Sequence, residues 1–354
     1  MRSPDTSRVR RLAAHRAVSA ALAARDEGEL RALVAAGTPH GSGIGGRSVL
    51  LEVDGVPVFV KQVPLTDIER RPEHIGSTAN LFGLPPFCQY GFGGPGFGAW
   101  RELAVHEATT AWALAGEYDG FPLTYHWRVL PGPRRPLPSE LADVERAVAY
   151  WGSDPAVRRR IESLREATAS LTLFLEYVPH DLHTWLRTQV AAGAGPAERA
   201  CAMVERELAA GVAFMNDRGL LHFDAHFANV LTDGERLFFA DYGLALSSDF
   251  DLSAAETAFF ERHRGYDRCY TLWHLVSWLV AEVYGHDPDA RADFAHACAK
   301  GATPEGMPAV LAGIVTRHAP VADAMGTFLR ALRRESRTTP YPHEELTGLL
   351  RAAR

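Results

Sequence analysis

Leu221-His222-Phe223-Asp224-Ala225-His226-Phe227-Ala228-Asn229-Val230-Leu231, followed by Phe238-Phe239-Ala240-Asp241-Tyr242-Gly243, is the stretch on which the reading of this 354-residue chain turns. Asp224 and Asn229 stand five apart, and Asp241 follows Asn229 by twelve. Three short polar side chains are thus set among apolar ones. Val230-Leu231 reads as a short strand, Asp233-Gly234 as a tight turn, and Leu237 to Ala240 as the returning strand. Such a hairpin brings Asn229 and Asp241 to the same end of the pair. An amide oxygen and a carboxylate held together suit a hard cation such as Mg²⁺. Asp224, one tight loop away, is placed to accept a proton from a hydroxyl nucleophile. A metallohydrolase reading of His222-x-Asp224-x-His226 leaves Asn229 and Asp241 without a role.

The pattern His-x-Asp-x-x-x-x-Asn followed by Asp-Tyr-Gly resembles the catalytic loop and Asp-Phe-Gly motif of the protein-kinase-like superfamily, which includes aminoglycoside and choline phosphotransferases and eukaryotic-type Ser/Thr protein kinases. The resemblance covers roughly residues 41–285 and is strongest from 172 to 243. It implies an α+β, bilobal fold with a small β-rich N-lobe and a larger helical C-lobe. It also implies ATP and Mg²⁺ as cofactors, with Asn229 and Asp241 as the metal ligands.

Composition sets the frame. Apolar residues make up 47% and charged residues 23% of the sequence, ordinary for a globular protein with a sizeable core. A net charge of −6 argues against general nucleic-acid binding. No 18-residue apolar run marks a membrane span, and the Arg-rich start is interrupted at His15 and Arg16, a poor secretory signal. Cys88, Cys201, Cys269 and Cys298 are scattered, which points to reduced, packed thiols and a cytoplasmic location. His106-Glu107 and His343-Glu344 lack the second His of a metalloprotease helix.

Residues 1–38 form an expected N-terminal helical extension. Arg2, Arg8, Arg10, Arg11 and Arg16 make its start basic, either as a solvated helix on the first lobe or as an arm for a protein partner. Gly41-Ser42-Gly43-Ile44-Gly45-Gly46 fits Gly-x-Gly-x-x-Gly through Gly41, Gly43 and Gly46. The segment before it, Glu29 to Ala36, reads as helix rather than strand. The segment after it is not a dinucleotide-binding helix but a hairpin, Val49–Val53 and Val56–Val60 around Asp54-Gly55. The second strand ends at Lys61. In the resembling fold, such glycines approach phosphates and Lys61 supplies them a positive charge.

Residues 62–97 are rich in Gly, Pro and aromatics, and read as a packed insertion that either binds the acceptor or covers the first lobe. Ala99 to Leu114 is a strong helix carrying Glu102 and Glu107. The resemblance asks one of them to fix Lys61. Glu107 is the expected partner by its distance from the helix end at Ala115-Gly116, with Glu102 the alternative. A second insertion, residues 131–168, follows the strand Phe121–Leu130. The strand Leu171–Val178 then resembles the kinase hinge, where the backbone of Glu176 and Val178 would hold adenine and Asp181 the ribose. The expected domains are therefore 1–38, an N-lobe over 39–178 and a helical C-lobe over 179–354.

The function implied is transfer of the γ-phosphoryl of MgATP to an acceptor hydroxyl, with Asp224, Lys61, Glu107, Asn229 and Asp241 as the catalytic set. Phe223 stands where protein kinases carry arginine, and His226 where they carry lysine. No Ala-Pro-Glu follows Asp241. These departures favour a small-molecule or specialised biosynthetic acceptor over a protein or peptide, although Val212–Asp224 is close to protein kinases. A nucleotide-binding pseudokinase or scaffold is the non-enzyme alternative. No nucleic-acid or membrane partner is expected.

Overall fold

The structure, a computed structural model, describes residues 6–43 and 45–352. Arg2 of the basic start and Ile44 of the glycine run lie outside the described residues. The chain divides into two compact units at Tyr177/Val178, and the first unit takes back Asp241–Ala245 and Phe250–Ser253.

The first unit begins with α1 (Thr6–Ala23) and α2 (Glu27–Ala36). Asp26 breaks them: its carboxylate accepts from the Glu29 backbone, and Glu29 reaches back to the Asp26 N–H, a reciprocal cap. Next come β1 (Thr38–Gly43), β2 (Gly46–Val53) and β3 (Val56–Leu65). Asp54 and Gly55, both at positive φ, make the turn between β2 and β3. The helix expected at 99–114 is α3 (Ala99–Ala115). Then follow β4 (Thr124–Pro131), α4 (Ser139–Ala142), α5 (Val144–Tyr150), α6 (Pro155–Glu166) and β5 (Ala169–Glu176).

The five strands form one antiparallel sheet in the order β1-β2-β3-β5-β4. Alternation along β3 divides its side chains between two cores. Val58 and Val60 join Val18 and Leu22 of α1 and Leu30 and Val34 of α2. Val63 and Leu65 join Trp100 and Leu103 of α3. The N-terminal helices are therefore part of this unit's core. Arg8 pairs with Asp119, and Arg11 grips the Glu176 carboxylate through Nε and Nη2, so two of the basic residues are engaged internally.

The two insertions pack on one another. Phe82, Leu84, Cys88 and Phe97 share a core with Val148, Trp151, Val157 and Ile161. The first insertion starts later than the sequence indicates, because β3 runs on to Leu65.

The second unit opens with β6 (His180–Asp181), α7 (Leu182–Ala191) and α8 (Ala194–Asp217). Short strands follow: β7 (Leu220–Leu221), β8 (Val230–Thr232), β9 (Leu237–Phe239) and β10 (Leu246–Ser247). They pair as β6-β8-β9 and β7-β10. The remainder is helical: α9 (Ala254–Arg262), α10 (Tyr266–Tyr284), α11 (Pro288–Ala299), α12 (Ala309–Arg334) and α13 (His343–Ala352). The architecture is mixed α+β. Among the described residues no helix is long and apolar enough to cross a membrane. All four cysteines are buried and unbridged, and burial pushes the Cys88, Cys201 and Cys269 thiols up to about 12.

Candidate functional site

In the first unit, β3 and α3 meet at a buried charge cluster. Lys61 Nζ donates to Glu102 Oε1 at 2.6 Å and to Asp241 Oδ1 at 2.8 Å. Lys61 and Glu102 are buried, whereas the Asp241 side chain is 42% exposed. Burial opposes the lysine's charge, but Asp241 and Glu102 outweigh it and hold its pKa above the ordinary value. Burial likewise pushes the Glu102 carboxyl up; Lys61 pulls it down and Asp241 adds to the rise. One cation thus serves two carboxylates.

The lysine's helix partner is therefore Glu102, not Glu107. Five residues along a helix rotate a side chain by roughly 140°, to the far side. Glu107 is exposed and accepts a hydrogen bond from Trp127 Nε1 at 3.0 Å. Spacing from the helix end misled because the burial stripe of α3, which includes Leu103, His106 and Thr110, fixes the face.

The start of α3 is held by a residue that sequence reasoning missed. Glu69, fully buried, accepts from the Ala99 N–H, the Thr66 N–H and hydroxyl, and Arg160 Nη1 at 2.8 Å. Burial works against its charge, but Arg160 and these hydrogen bonds hold its pKa below the ordinary value. Gly98, at φ 139, lets the backbone pass, since a Cβ there would lie 2.9 Å from Glu69 Oε1. A lone acid facing an arginine from a distant insertion leaves no local signal in the sequence.

The glycine run is a β-hairpin rather than a loop between strand and helix. Gly41 and Gly43 lie in β1 and Gly46 opens β2. Gly46 is the one of the three that demands glycine: its φ is +114 and a Cβ would stand 2.1 Å from the Gln62 carbonyl oxygen. The glycine nearest the charge cluster is Gly45, a filler position in the motif. A Cβ there would lie 3.1 Å from Lys61 Nζ and 3.7 Å from Asp241 Oδ2.

Asp241 adopts φ 63, uncommon for a non-glycine residue. Its neighbour Tyr242 is buried edge-on against His106 of α3, 4.8 Å between centroids. Gln89 of the first insertion donates to the Leu244 carbonyl. Packing thus ties the Asp-Tyr-Gly segment to the first unit.

In the second unit the loop 222–229 is built largely on hydrogen bonds to its backbone. The hairpin read from the sequence is β8 and β9, with Val230 opposite Phe239, and the Ala240 N–H donates to the Asn229 carbonyl. Asn229 Nδ2 donates to the Asp224 carbonyl at 3.0 Å and to Asp224 Oδ2 at 3.1 Å. That use of the NH₂ leaves the amide oxygen as the side chain's acceptor. His226 Nε2 stands 3.8 Å from Asp224 Oδ2. His222 Nδ1 accepts from the Asp224 N–H, which assigns the proton to Nε2, 3.0 Å from the Ala240 carbonyl.

Asp267, in the first turn of α10, is the loop's buried anchor. Its carboxylate accepts from the backbone N–H groups of His222 at 2.7 Å and Phe223 at 2.8 Å. Burial pushes it up to about 6 against the pull of those two donors. Phe223 has φ 62, held by this bond and by stacking on Tyr266 at 4.7 Å. An acid in the first turn of a largely apolar helix was the available sequence signal. Downstream, the Phe227 N–H donates to His274 Nε2 and its carbonyl accepts from the His183 N–H. Burial holds His274 neutral, with its pKa pushed down to about 3.

The expected nucleotide-contact residues have other attachments. The Glu176 N–H donates to the Leu123 carbonyl, and its carboxylate holds Arg11 and the Leu123 N–H. Asp181 caps α7 by accepting from the Thr184 N–H. Val178 is buried. Among the described residues no group of three or more His, Cys, Asp and Glu side chains gathers to hold a metal. Comparison of the chain with models of known protein families finds no match, and comparison with curated proteins finds none either.

Proposed function

We propose that this chain is an ATP-dependent O-phosphotransferase of two-lobed protein-kinase-like fold, acting on a hydroxyl of a small or specialised biosynthetic molecule. The observation that carries the reading is the buried Lys61, bound at once to Glu102 of α3 and to Asp241 of Asp-Tyr-Gly. Such a cluster has an excess carboxylate, and a divalent cation taken by Asp241 corrects the imbalance. Mg²⁺ with Asn229 and Asp241 fits the donor set, hard oxygens of an amide and a carboxylate. MgATP supplies the phosphoryl group. Lys61, held by Glu102, neutralises phosphate charge, and Gly45 lets the hairpin backbone lie over it. Asp224, oriented by Asn229, takes the acceptor's proton. Phosphoryl transfer asks mainly for positioning and electrostatic stabilisation, and these groups offer both.

The test is transfer of label from γ-³²P ATP and Mg²⁺ into a lysate of the native host, separated into macromolecular and small-molecule fractions, with Asp241→Ala as control. Label in a small organic molecule, lost in the variant, is the expected result. Label in protein or peptide would make the chain a protein kinase instead. Label in neither would overturn the reading in favour of a nucleotide-binding scaffold.

A further inference from the structure

On β3, Gln62 follows Lys61 and so faces the opposite side of the sheet. There, two cavities of the first unit, about 480 Å³ and about 600 Å³, share a wall made by Arg47, Gln62, Gly132, Pro133 and Arg135. Arg47 lies opposite Gln62 in the sheet register and opposite Ser42 of β1, at the foot of the glycine hairpin. Both Arg135 Nη atoms stand 3.4 Å from Gln62 Oε1. Among the described residues no carboxylate pairs with Arg47, Arg135 or the Arg31 that lines the larger cavity. The carboxylate on the smaller cavity's lining, Glu140, is exposed and accepts from the Ser139 hydroxyl. Burial and the neighbouring charge of Arg47 together pull the Arg135 pKa below its ordinary value.

Arg47 is exposed and Arg135 half-buried, and their two guanidinium groups, with no carboxylate between them, offer an anion a place to bind. A phosphate monoester matches them with two charges and three acceptor oxygens, and Arg is suited to forked contacts with it. Pro64, Leu137, Leu141 and Leu164 form an apolar part of the smaller cavity's lining, beside the polar Ser42, Ser139, Glu140 and Ser170. We propose that this wall is a binding site for an organic phosphomonoester, its phosphate between Arg47 and Arg135 and its apolar body against Pro64, Leu137 and Leu164. It is separate from the Lys61 cluster and does not depend on the phosphotransfer reading. A ligand there grips β2 at Arg47, next to Gly46, and so stiffens the hairpin that passes over Lys61.

Calorimetric titration of the full chain with phenyl phosphate tests the site. The expected result is one binding event of sub-millimolar Kd at low salt, roughly tenfold or more weaker in Arg47→Ala/Arg135→Ala, and unchanged in Lys61→Met. Both arginines are off the core, so the double variant should keep its melting temperature. Loss of binding in Lys61→Met with survival in the double variant would overturn the proposal, as would no heat up to about 10 mM. Equal affinity for benzoate would overturn the phosphate assignment. Equal affinity for inorganic phosphate would overturn the role of the apolar body.

Discussion

The lysine cluster of the first unit and the 222–229 loop of the second are both buried polar constructions, yet they are held by opposite means. Around Lys61 the bonds are ion pairs between side chains from β3, α3 and the Asp-Tyr-Gly segment. Around Asp224 they are hydrogen bonds to backbone, anchored by Asp267, His222 and His274. Ion pairs leave one partner exchangeable, and here it is Asp241, the half-exposed one. Backbone bonds fix a shape. The contrast assigns charge handling to the first region and geometry to the second.

The sharpest way to break the comparison is at Asp267. Asp267→Ala strands two buried N–H groups, each worth roughly 1–3 kcal/mol, so the second unit should lose about 4 kcal/mol in denaturant unfolding. A loss under about 1 kcal/mol would show that the loop holds its shape without this anchor.

Acid separates the regions next. Burial pushes His263, stacked between Phe259 and Tyr341, down to about 4 from an ordinary 6.5. A depressed pKa means that the unfolded chain takes up the proton first. The stabilisation is full above about 6.5 and is lost as pH falls to about 4, some 3 kcal/mol in all. Asp267, raised to about 6, acts with the opposite sign, since its protonation below that pH favours the fold. His263→Phe should therefore flatten the acid limb of a stability-versus-pH curve; an unaltered limb would contradict the burial account.

The third contrast lies within α3. Glu102→Gln should lower turnover about a hundredfold, near 2.7 kcal/mol, while Glu107→Gln should stay within about twofold. The reverse order would restore Glu107 as the lysine's partner.

Legibility in the sequence divides along the same line. The hairpin of Asn229 and Asp241, the helix carrying both glutamates, and Lys61 at β3 were legible, because alternation, turn residues and helical period are local. Glu102 against Glu107 was not, since the choice depends on which face of α3 meets β3. The Glu69–Arg160 pair joins two insertions 91 residues apart, beyond any local pattern. Asp267 reaches the backbone of the 222–229 loop from 45 residues away. Gly45 stood beside the motif glycines, and only the approach of its backbone to Lys61 distinguishes it.

The most direct test of the account is to measure MgATP binding and phosphoryl transfer side by side in Asp224→Asn and Asp241→Ala. Asp224→Asn should bind MgATP like the parent chain and transfer roughly a hundredfold more slowly or worse, as loss of a general base does. Asp241→Ala should lose both the Mg²⁺ dependence of binding and all turnover. Transfer at the parent rate by Asp241→Ala would contradict the phosphotransferase reading outright.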